Sequence, residues 1–110
     1  MTEPKVWGLL GLASRAGQVV SGESTCEIAL KKGEAALVLI DEEASAGTKK
    51  ALGDACRYRG VPLFELERGR LSESIGKPGR KIAAVKPGSL AQQLQRLLRP
   101  DSKYRCQEDY

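Results

Sequence analysis

Two short stretches of this chain have residue types and spacings suited to binding an anionic or strongly polar partner. In residues 18–25, an apolar pair is followed directly by three residues of types that commonly begin helices, Ser21, Gly22 and Ser24. Ser24 with Glu27 also matches a capping box. A helix that begins after a strand presents unpaired backbone N–H groups and about half a unit of positive charge. The stretch therefore suits an anionic partner, although the same residues would also serve simply to start a helix.

The second stretch, residues 76–80, reads Gly-Lys-Pro-Gly-Arg. It is not a Walker A phosphate loop, because that motif needs Gly-Lys-Ser/Thr and must lead from a strand into a helix. Its glycines can expose backbone N–H groups, Pro78 limits the entropy lost on binding, and Lys77 and Arg80 add positive charge. A tight turn with incidental cations is the simpler alternative, and the pattern alone does not separate the two.

Charge is unevenly distributed along the chain, whose formal net charge is +4. Residues 74–100 contain six cations and no acid, whereas residues 41–43 are Asp-Glu-Glu. A one-sided positive field attracts polyanions such as nucleic acid. A basic surface that serves solubility would have the same composition.

Catalysis and metal binding are disfavoured by the residues that are missing. The chain has no histidine, and its 3 cysteines are scattered. This composition predicts no disulfide framework, no zinc site and no histidine general base, and no serine or cysteine has an evident activating partner. We therefore expect a protein that is not an enzyme and has no cofactor or metal. No signal peptide or membrane-spanning run is recognisable, so we expect a cytoplasmic location and no membrane contact.

Helical and strand patterns alternate along the chain, which predicts an α/β fold. Specifically, we expect a three-layer α/β/α sandwich with a four-stranded central sheet. Residues 36–40 are uniformly apolar and should form a central strand. The length suits one domain, residues 1–100, followed by a flexible tail, residues 101–110. Strand order does not follow from the pattern. The predicted helices cover residues 5–16, 22–32, 45–59, 70–75 and 89 up to Pro100, and the predicted strands cover residues 19–20, 36–40, 61–66 and 81–85.

Several segments in combination are similar to the kink-turn-binding ribosomal-protein family, over about residues 6–98. They are residues 9–23 (LLGLASRAGQVVSGE), 37–45 (LVLIDEEAS), 48–50 (TKK) and 75–80 (IGKPGR). The resemblance implies an α/β/α sandwich that binds RNA kink-turns, which are sharp bends flanked by tandem sheared G·A pairs. In that family the second helix places its N-terminus in the opened major groove, and a nearby loop covers a base flipped out of the bend.

The resemblance also assigns candidate RNA-binding residues. Archaeal members have Gly-x-Asn-Glu-x-x-Lys, whereas this chain has Ser24, Thr25 and Ile28 in place of the Asn, Glu and Lys. We expect Glu23 to accept hydrogen bonds from base amino groups, and Lys32, Lys77 and Arg80 to hold phosphates. The resemblance itself assigns residues 22–25 and 76–80, and the helix-start pattern and the cations add Ser21 and Lys32. The full predicted set is Ser21, Gly22, Glu23, Ser24, Thr25, Lys32, Gly76, Lys77, Pro78, Gly79 and Arg80.

The resulting hypothesis is an RNA-binding protein that recognises kink-turn or similarly bent structured RNA and is either ribosome-associated or ribosomal-protein-like, bound to another structured RNA. Ribosomal RNA and ribosomal, transcription or translation proteins are the expected partners. One alternative is a protein-interaction module that docks through residues 41–43 or the tail without reading RNA. Another is a small nucleotide-handling enzyme acting at the 76–80 loop.

Overall fold

The structure, a computed structural model, describes residues 4–98, so the predicted tail lies outside the described residues. Helices and strands alternate along this part of the chain, which confirms the predicted order. The elements are α1 (Lys5–Arg15), β1 (Val19–Ser21), α2 (Glu23–Lys31), β2 (Leu37–Asp41), α3 (Ala46–Arg59), β3 (Leu63–Leu66), α4 (Arg70–Ile75), β4 (Ile82–Val85) and α5 (Ser89–Leu98).

The four strands form one mixed sheet in the order β1-β4-β2-β3. Both β1 and β2 run antiparallel to β4, and β3 runs parallel to β2. Strand β2 therefore has a neighbour on each side, and each of its five residues is buried. This confirms the central position expected from its uninterrupted apolar sequence.

Helices cover both faces of the sheet, as the three-layer prediction required. Because side chains alternate along a strand, Leu37 and Leu39 of β2 face one side while Val38 and Ile40 face the other. The first pair packs in a core with α1, α4 and α5. The second pair packs in a core with α2 and α3. Two apolar cores thus hold the sheet between two helical layers.

The start of α2 differs from the sequence expectation. Gly22 is the N-cap residue at φ 98° and ψ 147°, a region open essentially to glycine. Its N–H still donates to the carbonyl of Ile82 (3.0 Å), so the chain must turn from sheet to helix within this one residue. Ser24 is consequently the second helical residue, and no side chain caps α2. The predicted Ser24–Glu27 capping box is therefore wrong, whereas Gly22 as a helix-starting residue is confirmed.

The acidic run at the end of β2 joins the sheet to the start of α4. Asp41 is only 2% exposed; its Oδ1 accepts from the N–H of Glu43 (2.7 Å) and its Oδ2 from the N–H of Gly69 (2.9 Å). Glu42 Oε2 accepts from the N–H of Arg68 (3.0 Å). Asp41 is therefore not available to dock a protein partner, and this part of the alternative based on residues 41–43 is wrong.

Candidate nucleic-acid interface

Antiparallel pairing brings the start of α2 next to the 76–80 loop. Because β1 and β4 run in opposite directions, Ser21 at the end of β1 pairs with Ala83 near the start of β4. The 76–80 loop leads directly into β4, so it lies beside the residue that follows β1. A Cβ built on Gly22 would lie 3.2 Å from Arg80 Nη1. The two stretches identified in the sequence therefore meet in space.

The start of α3 also lies beside the 76–80 loop, again because of antiparallel strand pairing. Strand β2 also runs antiparallel to β4, and the N–H of Asp41 donates to the carbonyl of Lys81 (2.8 Å). A short turn then leads to Ser45, the N-cap of α3, whose Oγ accepts from the N–H of Thr48 (3.1 Å). Two helix N-termini, each with the positive end of its dipole, thus point to one edge of the sheet.

These elements enclose an open groove of about 220 Å³, which we call the helix-start groove. Arg80 and Lys81 are exposed, and among the described residues neither side chain has an acidic partner. Glu23 is the carboxylate of the groove. The groove thus combines two cations and one acid around two helix ends. Its lining residues are Gly22, Glu23, Ala44, Ser45, Thr48, Gly79, Arg80, Lys81 and Ile82.

The first turn of α2 offers hydrogen-bond donors to the groove. The first bond within the helix runs from the N–H of Cys26 to the carbonyl of Gly22 (3.0 Å). The backbone N–H groups of Glu23, Ser24 and Thr25 therefore have no acceptor inside the helix, and no side chain caps them. Such donors suit an anionic or carbonyl oxygen, and the Glu23 carboxylate suits an amino group. The site can thus bind a ligand that presents both phosphates and base edges.

Four of the predicted site residues line the helix-start groove: Gly22, Glu23, Gly79 and Arg80. The other candidates near it lie at its margin. Ser21 is half-buried at the end of β1; Ser24 and Thr25 are exposed in the first turn of α2; Gly76 follows α4 as its C-cap; and Lys77 and Pro78 are exposed in the loop.

Lys32 lies apart from this group. It is the C-cap of α2, a helix of 9 residues, and so lies about 14 Å from the groove at 1.5 Å per residue. The prediction that Lys32 holds a phosphate together with Arg80 therefore requires a ligand that extends along α2. It stays a prediction, and the structure does not bring Lys32 into the groove.

Sequence reasoning missed the contribution of α3 and the residues that follow the loop. Ala44, Ser45 and Thr48 come from the β2–α3 turn, and Lys81 and Ile82 lead into β4. Ser45 three residues before Thr48 is a helix-start pattern that the sequence does display. Nothing local in that pattern indicates that this helix start lies opposite Arg80, because only the pairing of β2 with β4 brings them together.

No group of three or more His, Cys, Asp or Glu residues within positions 4–98 could hold a metal ion. Burial raises the pKa of the Cys26 thiol to about 12, and the nearby Glu27 carboxylate adds to the increase. This thiol is therefore protonated at neutral pH and is a poor nucleophile. None of the helices in this part of the chain is long and apolar enough to span a bilayer.

Two solved structures share this architecture over most of the chain. A Bacillus halodurans protein described as being of unknown function superposes with a TM-score of 0.81 at 35% identity, covering 86% of this chain and 97% of that one. The Giardia lamblia 15.5kD RNA binding protein superposes with a TM-score of 0.72 at 15% identity, covering 88% of this chain and 91% of that one. At that identity, the second match supports the shared fold alone.

Relatives in sequence extend the comparison. The RNA-binding protein YlxQ of Bacillus subtilis (strain 168) is 44% identical over 91 residues, which cover 82% of this chain and 91% of the relative. The protein of the same name from Enterococcus faecium is 34% identical over 95 residues, covering 86% and 91%. Residues 5–94 match the model of the ribosomal protein L7Ae/L30e/S12e/Gadd45 family. The resemblance seen in the sequence motifs is therefore confirmed, and this chain belongs to the ribosomal protein L7Ae/L30e/S12e/Gadd45 family.

Proposed function

We propose that this protein binds structured RNA through the helix-start groove and that its target is a sharply bent helix of the kink-turn type. One observation carries the proposal: in a chain of this family, the first turn of α2, which no side chain caps, lies next to Arg80. Support also comes from the two relatives above, both named as RNA-binding proteins.

The chemistry of the groove suits the two components of such an RNA. Arg80 and Lys81 would bind backbone phosphates, and Lys77 would extend this contact along the exposed loop. Glu23 places a negative charge at the helix start, which favours the helix but repels a phosphate there. We therefore assign Glu23 to the amino groups of guanine or cytosine, which donate hydrogen bonds at base edges exposed by the bend.

Recognition by shape and charge is the mode that fits the remaining residues of α2. Ser24 and Thr25 have short hydroxyl side chains, and Ile28 is 52% exposed without any hydrogen-bonding group. These residues offer fewer bidentate contacts than the Asn, Glu and Lys of the archaeal pattern. Binding would then depend on the bent backbone, on the cations and on Glu23 more than on a set of base-specific side chains.

A titration with two RNAs tests the target. We expect a kink-turn RNA to bind more tightly than a control with disrupted G·A pairs. The expected difference is ~1–3 kcal/mol, the cost typical of one mismatched base pair in a specific nucleic-acid site. If Lys77, Arg80 and Lys81 each neutralise one phosphate, log K should fall against log salt concentration with a slope of about −3. Fluorescence anisotropy across salt measures both quantities. Equal affinity for the two RNAs would refute the kink-turn target, and indifference to salt would refute the phosphate contacts.

A double substitution tests the loop. We expect Lys77→Ala with Arg80→Ala to weaken binding of the kink-turn RNA by about tenfold and to reduce the salt slope by about 2, since two phosphate contacts are lost. The melting temperature should stay unchanged, because both side chains are exposed and neither has a partner among the described residues.

The matched control is Lys5→Ala with Arg96→Ala, which removes the same charge from α1 and α5 in the other helical layer. This control should retain nearly all of the affinity. If both double variants weaken binding equally, general charge and not the loop determines affinity. Wild-type affinity in the first variant would exclude the loop from the interface.

The identity of the RNA in the cell requires a separate experiment. We propose ribosomal RNA, in association with ribosomal proteins, as the setting. Crosslinking in cells followed by sequencing of the bound RNA would identify the target. Recovery of proteins that persist after nuclease treatment, without enrichment of any RNA, would favour the protein-interaction alternative.

A further inference from the structure

A second groove lies between the C-terminal halves of α2 and α3 and contains an unusually exposed aromatic side chain. Tyr58 is 81% exposed, whereas Phe64 is buried in the core and Trp7 packs partly against it. The groove has a volume of about 320 Å³, and we call it the Tyr58 groove. Its lining residues are Glu27, Leu30, Lys31, Asp54, Ala55, Tyr58 and Arg59.

Arg59 holds a cationic group against this ring. Its guanidinium carbon lies 5.4 Å from the centroid of the Tyr58 ring, and its Nη1 donates to the carbonyl of Lys31 at the end of α2 (3.4 Å). Arg59 therefore bridges the two helices beside the aromatic face. An exposed aromatic ring next to a guanidinium is the combination that stacks on unpaired bases while attracting the attached phosphate.

The charges around the groove favour a nucleotide strand. Asp54 is compensated by Lys50 (3.4 Å) and Arg57 (3.6 Å). Lys31 and Lys32 are exposed, and their ammonium groups have no acidic partner among residues 4–98. Glu27 lies half-buried in the groove, where a carboxylate would repel phosphate but accept from a base amino group. The surroundings thus direct a base into the groove and phosphates toward the lysines.

The Tyr58 groove lies within reach of an RNA bound at the helix-start groove. Both α2 and α3 begin at the first groove and end at the second, and α2 has 9 residues. At 1.5 Å per residue the end of α2 is about 14 Å from the first groove, whereas Tyr58, near the end of α3, is about 20 Å from Ser45. The longer distance corresponds to about six nucleotides of a stacked strand at ~3.4 Å each.

We infer that a single-stranded RNA segment flanking the folded element runs along α2 and α3 and places an unpaired base on Tyr58, with phosphates on Lys31 and Lys32. This inference rests on the proposed function. It also gives Lys32 an RNA contact that is separate from Arg80.

The test compares the intact protein with three RNAs. These are a blunt-ended kink-turn hairpin and the same hairpin with an extension of about six unpaired nucleotides at either its 5′ or its 3′ end. One extension should tighten binding by about fivefold or more, as expected for one stacked base. Tyr58→Ala should abolish that gain and leave the blunt hairpin unaffected, whereas Tyr58→Phe should retain the gain. Leu12→Ala, an exposed apolar residue on α1, is the matched control and should also retain it.

The outcomes separate this inference from the function on which it rests. If the blunt hairpin binds but neither extension tightens binding, the Tyr58 contact is refuted and the helix-start groove is not. The contact is also refuted if Tyr58→Ala preserves the gain or weakens blunt and extended RNAs equally. Failure of all three RNAs to bind would overturn both proposals.

Discussion

Replacing Asp41 with alanine is expected to lower the free energy of unfolding by about 3 kcal/mol. The carboxylate is buried and accepts hydrogen bonds from the N–H groups of Glu43 and Gly69. Hydrogen bonds to a charged group contribute roughly 1.5–3 kcal/mol each, and the substitution would leave both donors without their acceptor. The cost of burying the charged carboxylate offsets part of the stabilisation that these hydrogen bonds provide. Urea denaturation followed by circular dichroism measures the loss.

Two further variants make this prediction specific. Asp41→Asn keeps one acceptor oxygen but presents an NH₂ group to one of the two donors, so we expect an intermediate loss. Glu43→Ala removes an exposed ion pair with Arg68 (3.0 Å) and keeps its own backbone N–H, so it should cost no more than about 1 kcal/mol. A loss for Asp41→Ala no greater than that for Glu43→Ala would show that the buried carboxylate does not hold the β2–α4 junction.

Gly22→Ala is expected to reduce both stability and RNA affinity. The backbone at φ 98° would place an L side chain in a region that costs about 1–3 kcal/mol, which urea denaturation would detect. The new Cβ would also lie 3.2 Å from Arg80 Nη1. Because that atom is at the end of a flexible side chain, the Arg80 guanidinium would shift away from the new methyl group. We therefore expect the folded variant to bind kink-turn RNA about fivefold or more weakly, the equivalent of ~1 kcal/mol.

The control for backbone strain is Gly8→Ala in the interior of α1, where a Cβ would meet no heavy atom within 4 Å other than the adjoining backbone of its own helix. That variant should be more stable than the wild type by about 0.5–1 kcal/mol. To test the displacement of Arg80, Gly22→Ala can be combined with Arg80→Ala. If Gly22→Ala acts through Arg80, the two losses of affinity will be less than additive. Full additivity would contradict the proposed coupling between the helix start and the loop.

The fold class follows largely from local patterns. Periodic apolar residues define the helices, and the uninterrupted run that contains β2 identifies a strand covered on both faces. The cations and glycines of the 76–80 loop, and Gly22 at the start of α2, are likewise visible in the sequence. These features depend on spacings of a few residues, and such local spacings are independent of how distant segments of the chain pack.

The candidate interface depends on long-range pairing that no local pattern specifies. Strand order and direction place the start of α2, the start of α3 and the 76–80 loop at one edge of the sheet, because β1 and β2 both run antiparallel to β4. Because of the same pairing, the N–H of Gly22 still donates to the carbonyl of Ile82 in β4, so that Gly22 and not Ser24 is the N-cap of α2. The sequence alone thus determined which elements form and which residues carry charge. Only the tertiary structure decided which of those residues meet, since register and direction are set by hydrogen bonds and packing between segments far apart in the chain.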